Sequence, residues 1–441
     1  MTTYVPFDRD QPFLLPPDLK EWLPEDDIAH FIVAAVERVR LGAFRTNWQA
    51  GGKPQYHPRL MLALLIYCYA NGVFSSRRIE RATYRDIGAR FIAANTHPDH
   101  DTIAVFRRAN QQAFEAAFLE VLLARETGLL QLGTVSIDGT KIDANASKIR
   151  SVRYDRAQVL REKLAADIAA LTAKAEAADA KDEDPQALPR EIARCAALKE
   201  KLDAACARLE AAAEHPEYDR KKAVFEAKRG RRGRPPKPPD ETPPPDRQSN
   251  LTDPDSALMR KSKAHEYRQA YNAQAVVCAE GSQLILATNM AATPSDQPTF
   301  AATILSMQST IGLPKVVLAD AGFADGDAVA QLEAAGVEPL VAIAKTQPHR
   351  PYDFRPPPAE PKPPRRILEP WRLAMKAKLD TDDGKSRYKK RKQTVEPVFG
   401  IIKSAIGFTR FHLRGIHTVA TEWLLVALAY NCRRLRSLQP A

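Results

Sequence analysis

Residues 387–403 read RYKKRKQTVEPVFGIIK, and the placement of this stretch decides how the rest of the chain is organised. Five bases fill six positions (Arg387 and 389–392, with Tyr388 between them), and a single carboxylate, Glu396, follows. Val395, Phe399, Ile402 and Ile406 recur at helical spacing, so the segment is expected to be a helix with one face in a core. Glu396 and Lys403 are seven residues apart, about two turns, and fall on nearly the same side. Pro397 and Gly400 lie inside this helix, where proline removes an N–H donor and glycine costs backbone entropy. A first helical position or a kink suits the proline best. A local rule broken beside one isolated acid marks a candidate functional site. The plainer reading is a basic surface helix whose lone glutamate balances charge.

The chain has 441 residues, enough for two or three domains and a sizeable core. Its net charge of +11 favours an anionic partner, nucleic acid ahead of an anionic membrane surface. The five cysteines are far apart with no CxxC pair, which argues against a disulfide framework or structural zinc and for a reducing compartment. The first residues, MTTYVPFDRDQPFLLPP, lack the basic-then-apolar build of a signal peptide. No apolar run approaches the roughly 18 residues of a membrane span. A soluble, cytoplasmic protein is expected.

Residues 1–130 read as a helical domain. Leu60 to Ala70 is an apolar helix stopped by Asn71-Gly72. Ser75-Ser76 can cap a second helix, RRIERATYRDIGARFIA, with bases outward, and Asp101 a third, TIAVFRRANQQAFEAAFLEVLL. Short Arg-rich helices joined by tight turns suit a helix-turn-helix-like DNA binder; the plainer reading is a helical bundle. His57, His97 and His100 lack ligand spacing and read as capping or packing residues.

GTVSIDG, residues 133–139, is a β-branched strand ending in Asp138. Residues 151–215 then carry two apolar stripes separated by KDEDPQALP, giving an inserted antiparallel helical hairpin or coiled coil. Residues 216–250 form a basic, Pro-rich linker, with nine Lys/Arg against one acid over 220–237. Within it Arg232-Gly233-Arg234-Pro235 resembles an AT-hook, whose arginines enter narrow minor grooves; a solvated basic tether is the plainer reading. From 251 onward strands and helices alternate. Ala270–Cys278 and Gln283–Asn289 pair around Glu280-Gly281, and KVVLA ends in Asp320. Further elements are a helix over Asp325–Ala335, a strand over Glu338–Ala344, the opening stretch and a final helix from Thr418 to Leu435.

Residues 131–150 and 251–441 therefore read as one α/β catalytic domain, a mixed sheet flanked by helices with acids at strand ends. Asp138, Asp320 and Glu396, brought together from distant positions, would repel unless cations bound between them. Two Mg²⁺ ions about 4 Å apart would satisfy that and suit phosphodiester chemistry. Any single strand-end Asp is more often a cap; the conjunction of three carries the weight.

VSIDGTKIDANAS, LTDPDSALMRKSK, AYNAQAVV, LADAGF and YKKRKQTVEPVFGIIK occur here in the order seen in DDE transposases of bacterial insertion sequences. The chain resembles the group with a Tyr-Arg-Glu-Lys signature, and within it the insertion-sequence family numbered eleven-eighty-two. YHPRLMLALLIYCYANGVFSSRRIE is similar to that family's N-terminal helical domain. The resemblance covers most of the chain outside the hairpin and linker. It implies an RNase H-like fold, and Asp138, Asp320 and Glu396 as catalytic ligands of two Mg²⁺ ions, with Mn²⁺ as substitute. Tyr388, Arg391 and Lys403 would contact phosphates of the transposon end. Arg391 to Glu396 is one residue longer than the general signature, so Lys392 is the alternative to Arg391. Asp143 is the rival for the first acid. Asp253, Asp255, Asn272 and Gln274 match recurring family positions, where turn formation and strand-edge hydrogen bonding are the plainer roles.

The implied activity is cleavage at the element's terminal inverted repeats, freeing a 3′-hydroxyl that then attacks target DNA. Double-stranded DNA is the partner, a homodimer is implied by synapsis of two ends, and the place of work is the bacterial nucleoid. Two rivals stand beside it: an RNase H-like nuclease without strand transfer, and a catalytically dead DNA-binding derivative.

Overall fold

In the computed structural model, residues 18–45, 55–122, 132–179, 188–211, 225–226, 243–260, 265–343 and 369–438 are described. Helices in the N-terminal region begin where a side chain can satisfy a helix's free N–H groups. Asp18 caps α1 (Leu19–Trp22) and Asp27 caps α2 (Ile28–Glu37). α3 (Pro58–Ala70) starts with His57 Nδ1 accepting from the Arg59 N–H and with Pro58 at its first position. Residues 61–70 of α3 are all buried, so this helix is the centre of its bundle. It ends at Asn71, followed by Gly72 in the left-handed region at φ +75°.

The second and third expected helices each divide in two. Ser75 caps α4 (Ser76–Arg85), but Asp86 is extended and caps α5 (Ile87–Ile92), its carboxylate accepting from the Ala89 N–H and the Tyr67 hydroxyl. Gly88 lets α5 lie against that tyrosine, since a Cβ there would fall 2.3 Å from the Tyr67 hydroxyl. Asp99, not Asp101, caps α6 (His100–Ala109), because its carboxylate is the one that reaches the Thr102 N–H. Asn110 then interrupts the chain before α7 (Gln111–Leu122); its amide accepts from Arg45 N–H and donates to the Phe106 carbonyl. The three histidines do pack and cap: His97 stacks on Tyr84 at 3.7 Å and His100 pairs with Glu80 at 2.8 Å.

The sheet begins with β1 (Thr134–Asp143), which runs five residues past Asp138 because a later strand, Arg268–Cys278, continues to pair with it as far as Asp143. A two-stranded ladder, β2 (Ser151–Arg153) with β3 (Gln248–Asn250), closes the neck of an inserted pair of helices, α8 (Tyr154–Asp179) and α9 (Leu188–Ala211). Tyr154 donates to Glu210 at 2.7 Å, so the start of α8 lies beside the end of α9 and the two run antiparallel. Their shared core of Tyr154, Ala157, Leu202, Cys206 and Leu209 is confined to the neck.

The main sheet is completed by β4 (Ala257–Met259), β5 (Arg268–Cys278), β6 (Ile285–Ala291), β7 (Val316–Ala319) and β8 (Glu338–Val341), with α10 (Phe300–Leu305) and α11 (Gly326–Ala334) as crossovers. Its order is β6–β5–β1–β7–β8, with β4 pairing the start of β5. β5 runs antiparallel to both β6 and β1, while β7 and β8 run parallel to β1. All four residues of β7 are buried, as expected of a parallel strand covered on both faces.

α12 (Pro370–Asp380) leads into α13 (Asp382–Gly400), which continues as a π-helical turn over Ile401–Ala405. Val395, Phe399, Ile402 and Ile406 are buried, in keeping with their spacing. α13 passes through Pro397 without a break. The carbonyl that proline leaves without a helical donor, that of Gln393, accepts instead from the Gln283 side-chain amide at 2.9 Å.

α14 (Ile416–Leu438) packs on α3, α7 and β6 and so joins the helical bundle to the sheet. Its Asn431 amide accepts from the Ile285 N–H and donates to the Ile285 carbonyl, pairing with β6 as a strand would. Glu422 is fully buried at this joint. It accepts from the His412 and Leu413 N–H groups and from the Tyr69 hydroxyl on α3, which in turn accepts from Arg107 on α6. Glu422→Leu leaves these donors unsatisfied and is expected to cost about 3 kcal/mol or more, read as a lowered urea midpoint; an unchanged midpoint would contradict the joint.

Candidate active site

The parallel register of β1 and β7 sets Ser136 opposite Leu318. Two residues further, each strand delivers an aspartate: Asp138 from β1 and Asp320 from just beyond the end of β7. Asp138 accepts from its neighbour's N–H, Gly139, at 2.8 Å, and Asp320 accepts from Gly322 N–H at 2.7 Å. Burial raises the Asp138 carboxyl, and the charge of Asp320 adds to the effect; together they push it up to about 7 against partial opposition from Gly139 N–H and Arg391.

α13 lies across this strand end. Tyr388 donates to the Ala319 carbonyl at 3.0 Å, fixing the helix to the last residue of β7. One turn on, the Arg391 guanidinium spans two acids, Nη1 at 3.4 Å from Asp138 and Nη2 at 3.4 Å from Glu396. Its side chain is 11% exposed and its Nε is buried without a partner. Lys403, on the π-helical turn, donates to the Thr140 hydroxyl of β1. Of the two candidates for the signature arginine, Arg391 points inward to the acids and Lys392 is exposed. Asp138, Asp320, Glu396, Tyr388, Arg391 and Lys403 are thus gathered at one sheet edge. Arg232 and Arg234 lie outside the described residues.

Asp143, the rival first acid, sits five residues down β1, about 17 Å along an extended strand, and pairs with Arg268 at 3.1 Å. Asp253 and Asp255 take the plainer role. Asp253 accepts from Tyr271 hydroxyl and Gly415 N–H, and Asp255 from Ile416 N–H, so both hold the start of α14.

Asn272 and Gln274 lead to a residue the sequence reading missed, Asp296. Both buried amides donate to Asp296 Oδ1, at 2.6 and 2.9 Å. Two glycines make room for it. A Cβ on Gly139 would fall 2.5 Å from Asp296 Oδ1, and one on Gly322 3.2 Å from Oδ2. Asp296 also adds, more weakly than Asp320, to the rise of Asp138. The signal was present in β5, where two buried amides at i and i+2 require a shared polar partner.

An oxygen-only set of carboxylates suits a hard divalent cation such as Mg²⁺ or Mn²⁺. As folded, no three His, Cys, Asp or Glu side chains among the described residues stand close enough to hold an ion together. The charge of Asp320 is felt at Asp138, while Glu396 is engaged by Arg391.

Residues 241–432 match the family model of the transposase DDE domain, which contains Asp320, Arg391 and Glu396. Residues 17–109 match a second model, described as Transposase domain (DUF772). These two domains indicate a transposase. Comparison with curated proteins and with solved structures gave no match. Asp138 lies upstream of the DDE match, and α8 and α9 intervene in sequence while β1 remains central in space. No helix among the described residues is long and apolar enough to cross a membrane.

Gly139→Ala is expected to displace Asp296 and destabilise the chain by roughly 1–3 kcal/mol, since the atoms it meets are held by buried amides; thermal unfolding checks this. Asp138 gives a pH dependence of defined sign. Its folded pKa is raised from 3.8 to about 7, so its contribution to stability is complete below about 4 and is lost as pH rises through about 7. In EDTA, Asp138→Asn should match wild type at pH 4 and exceed it at pH 8 in urea midpoint. A variant less stable than wild type at pH 8 contradicts the assignment.

Proposed function

We propose that this transposase binds double-stranded DNA at the terminal inverted repeats of a bacterial insertion sequence, cleaves the element's ends and joins the freed 3′-hydroxyl to target DNA. The reading includes the Tyr-Arg-Glu-Lys group and the family numbered eleven-eighty-two, and cytoplasmic work at the nucleoid. The observation that carries it is the β1–β7 register, which sets Asp138 beside Asp320 under a helix bearing Arg391 and Glu396. The strand order, three antiparallel strands followed by two parallel ones, supports an RNase H-like core.

Asp138 and Asp320 hold the divalent cations, two Mg²⁺ or Mn²⁺ in the full site, and Glu396 completes the set when Arg391 turns to a phosphate. When bound, the ions supply activation of the attacking oxygen and stabilisation of the leaving oxygen. Tyr388, Arg391 and Lys403 orient the scissile phosphate and offset its developing charge, with Lys392 outside them on the same backbone track. Asp296, fixed by Asn272 and Gln274, positions the acids from behind. The exposed Arg77, Arg78, Arg81 and Arg85 of α4 contact the repeat, and Arg232 and Arg234 in the tether reach a minor groove. The unit spanning residues 131–150 and 251–441 does the chemistry, residues 1–130 bind DNA, and the hairpin, 151–215, joined through the linker at 216–250, serves dimerisation or clamping. A homodimer brings two ends together.

Glu396→Gln removes a cation ligand and leaves the basic surface intact. It should abolish Mg²⁺-dependent cleavage of a duplex carrying the repeats without weakening duplex binding. Cleavage at the wild-type rate would sink the site assignment. Transfer of a labelled 3′ end into a second duplex by wild type separates a transposase from a nuclease.

A further inference from the structure

Past Asp138, β1 leads away from the acids along a cationic path. A cleft of about 310 Å³ is lined by Lys141, Arg260 and Arg268 together with two acids, Asp143 and Glu266. It adjoins a second, of about 560 Å³, around which stand Lys148, Arg150, Arg268, Arg410 and Arg414. The two share Asp143 and Arg268 and so form one track. Among the described residues Asp143 is the sole acid lining the second cleft, and it is already paired with Arg268. Lys148, Arg150 and Arg410 are exposed.

The floor of this cleft is a tied-down ledge. The Ser147 hydroxyl accepts from Ile149 N–H, and its carbonyl accepts from Arg150 N–H and the Asn250 amide, while Arg150 carbonyl accepts from Leu251 N–H. On that fixed backbone Ile149 is 91% exposed, between Lys148 and Arg150. Such a side chain buries nothing in the folded chain and brings apolar surface to a cationic rim.

We propose that this ledge is a second contact site for duplex DNA: Lys148, Arg150 and Arg410 hold backbone phosphates, and Ile149 enters a groove as an apolar wedge that bends the duplex. It rests on the reading that duplex DNA is the substrate. The charge is complementary, one neutralised acid among five cations. The separation from Asp138 to Asp143, about 17 Å along the strand, corresponds to about five base pairs at roughly 3.4 Å each. Ile149 follows Asp143 in the chain, beyond the end of β1, so the wedge acts outside the acid cluster, where a bend would turn the cut end away from flanking DNA.

The test is the salt dependence of binding to a labelled random-sequence duplex, followed by fluorescence anisotropy. Each phosphate that a variant no longer neutralises should flatten the slope of log K against log salt by roughly 0.9. Lys148→Gln/Arg150→Gln should flatten it by roughly 1.8, and adding Arg410→Gln by roughly 2.7. Circular dichroism melts confirm that the variants fold. A control, Lys315→Gln/Lys376→Gln, removes as much charge as the double ledge variant from exposed positions elsewhere and should leave the slope unchanged. Ile149→Ala should keep the slope and reduce duplex bending, read as end-to-end energy transfer. A wild-type slope in the ledge variants, or an equal flattening in the control, overturns the ledge while leaving duplex DNA as substrate. Unchanged bending by Ile149→Ala overturns the wedge. A wild-type chain that binds no duplex overturns both the ledge and the proposed function.

Discussion

The alignment of β1 with β7 is the constraint on which the candidate site depends. Parallel strands fix side chains by register, so placing Ser136 opposite Leu318 leaves no freedom in where Asp138 and Asp320 meet. Everything around them is arranged to hold that register. β5 pairs along the whole of β1, Asn431 binds the outer strand through Ile285, and the Trp423 indole donates to the Gln274 carbonyl at 2.9 Å. A one-residue slip of either strand would turn its aspartate to the opposite face and part the pair.

Bringing acids together has a consequence that the neighbouring residues share. Asp138 is buried beside Asp320 and flanked by Asp296, so full ionisation of the metal-free cluster is opposed. Arg391 offsets part of that charge from above, and Asn272 and Gln274 orient Asp296 from below. The same guanidinium engages Glu396. Glu396, the most exposed of the three acids, is therefore held by the guanidinium that also engages Asp138.

Much of the architecture is legible in the sequence, for physical reasons that differ by element. β-branched runs ending in aspartate mark the central strands, and the apolar spacing of Val395, Phe399, Ile402 and Ile406 marks the helix that covers them. The capping roles of Asp86 and Asp99 escape such a reading because propensity does not say which of several polar residues will find a backbone N–H; that depends on Tyr67 and the next helix. Pro397 reads as a helix start or a kink, since the donor that satisfies Gln393 comes from a turn more than a hundred residues away. Asp296 is invisible because its neighbours, Ser295 and Gln297, carry no strand or helix pattern. Only the two buried amides of β5 point toward it.

The place of α14 has a consequence for how the chain is made. β1 must wait for β5, more than a hundred residues further on, and α3 waits longer still for the helix that carries Glu422 and Asn431. Pairings this distant in sequence form late, because loop closure must precede any gain from contact. A ribosome-bound chain that has not yet emitted α14 holds a helical bundle with an uncovered apolar flank and a sheet without its outer brace. The core and the strand-end cluster therefore mature together, so partly synthesised chains would carry exposed bases before the strand-end acids are in place.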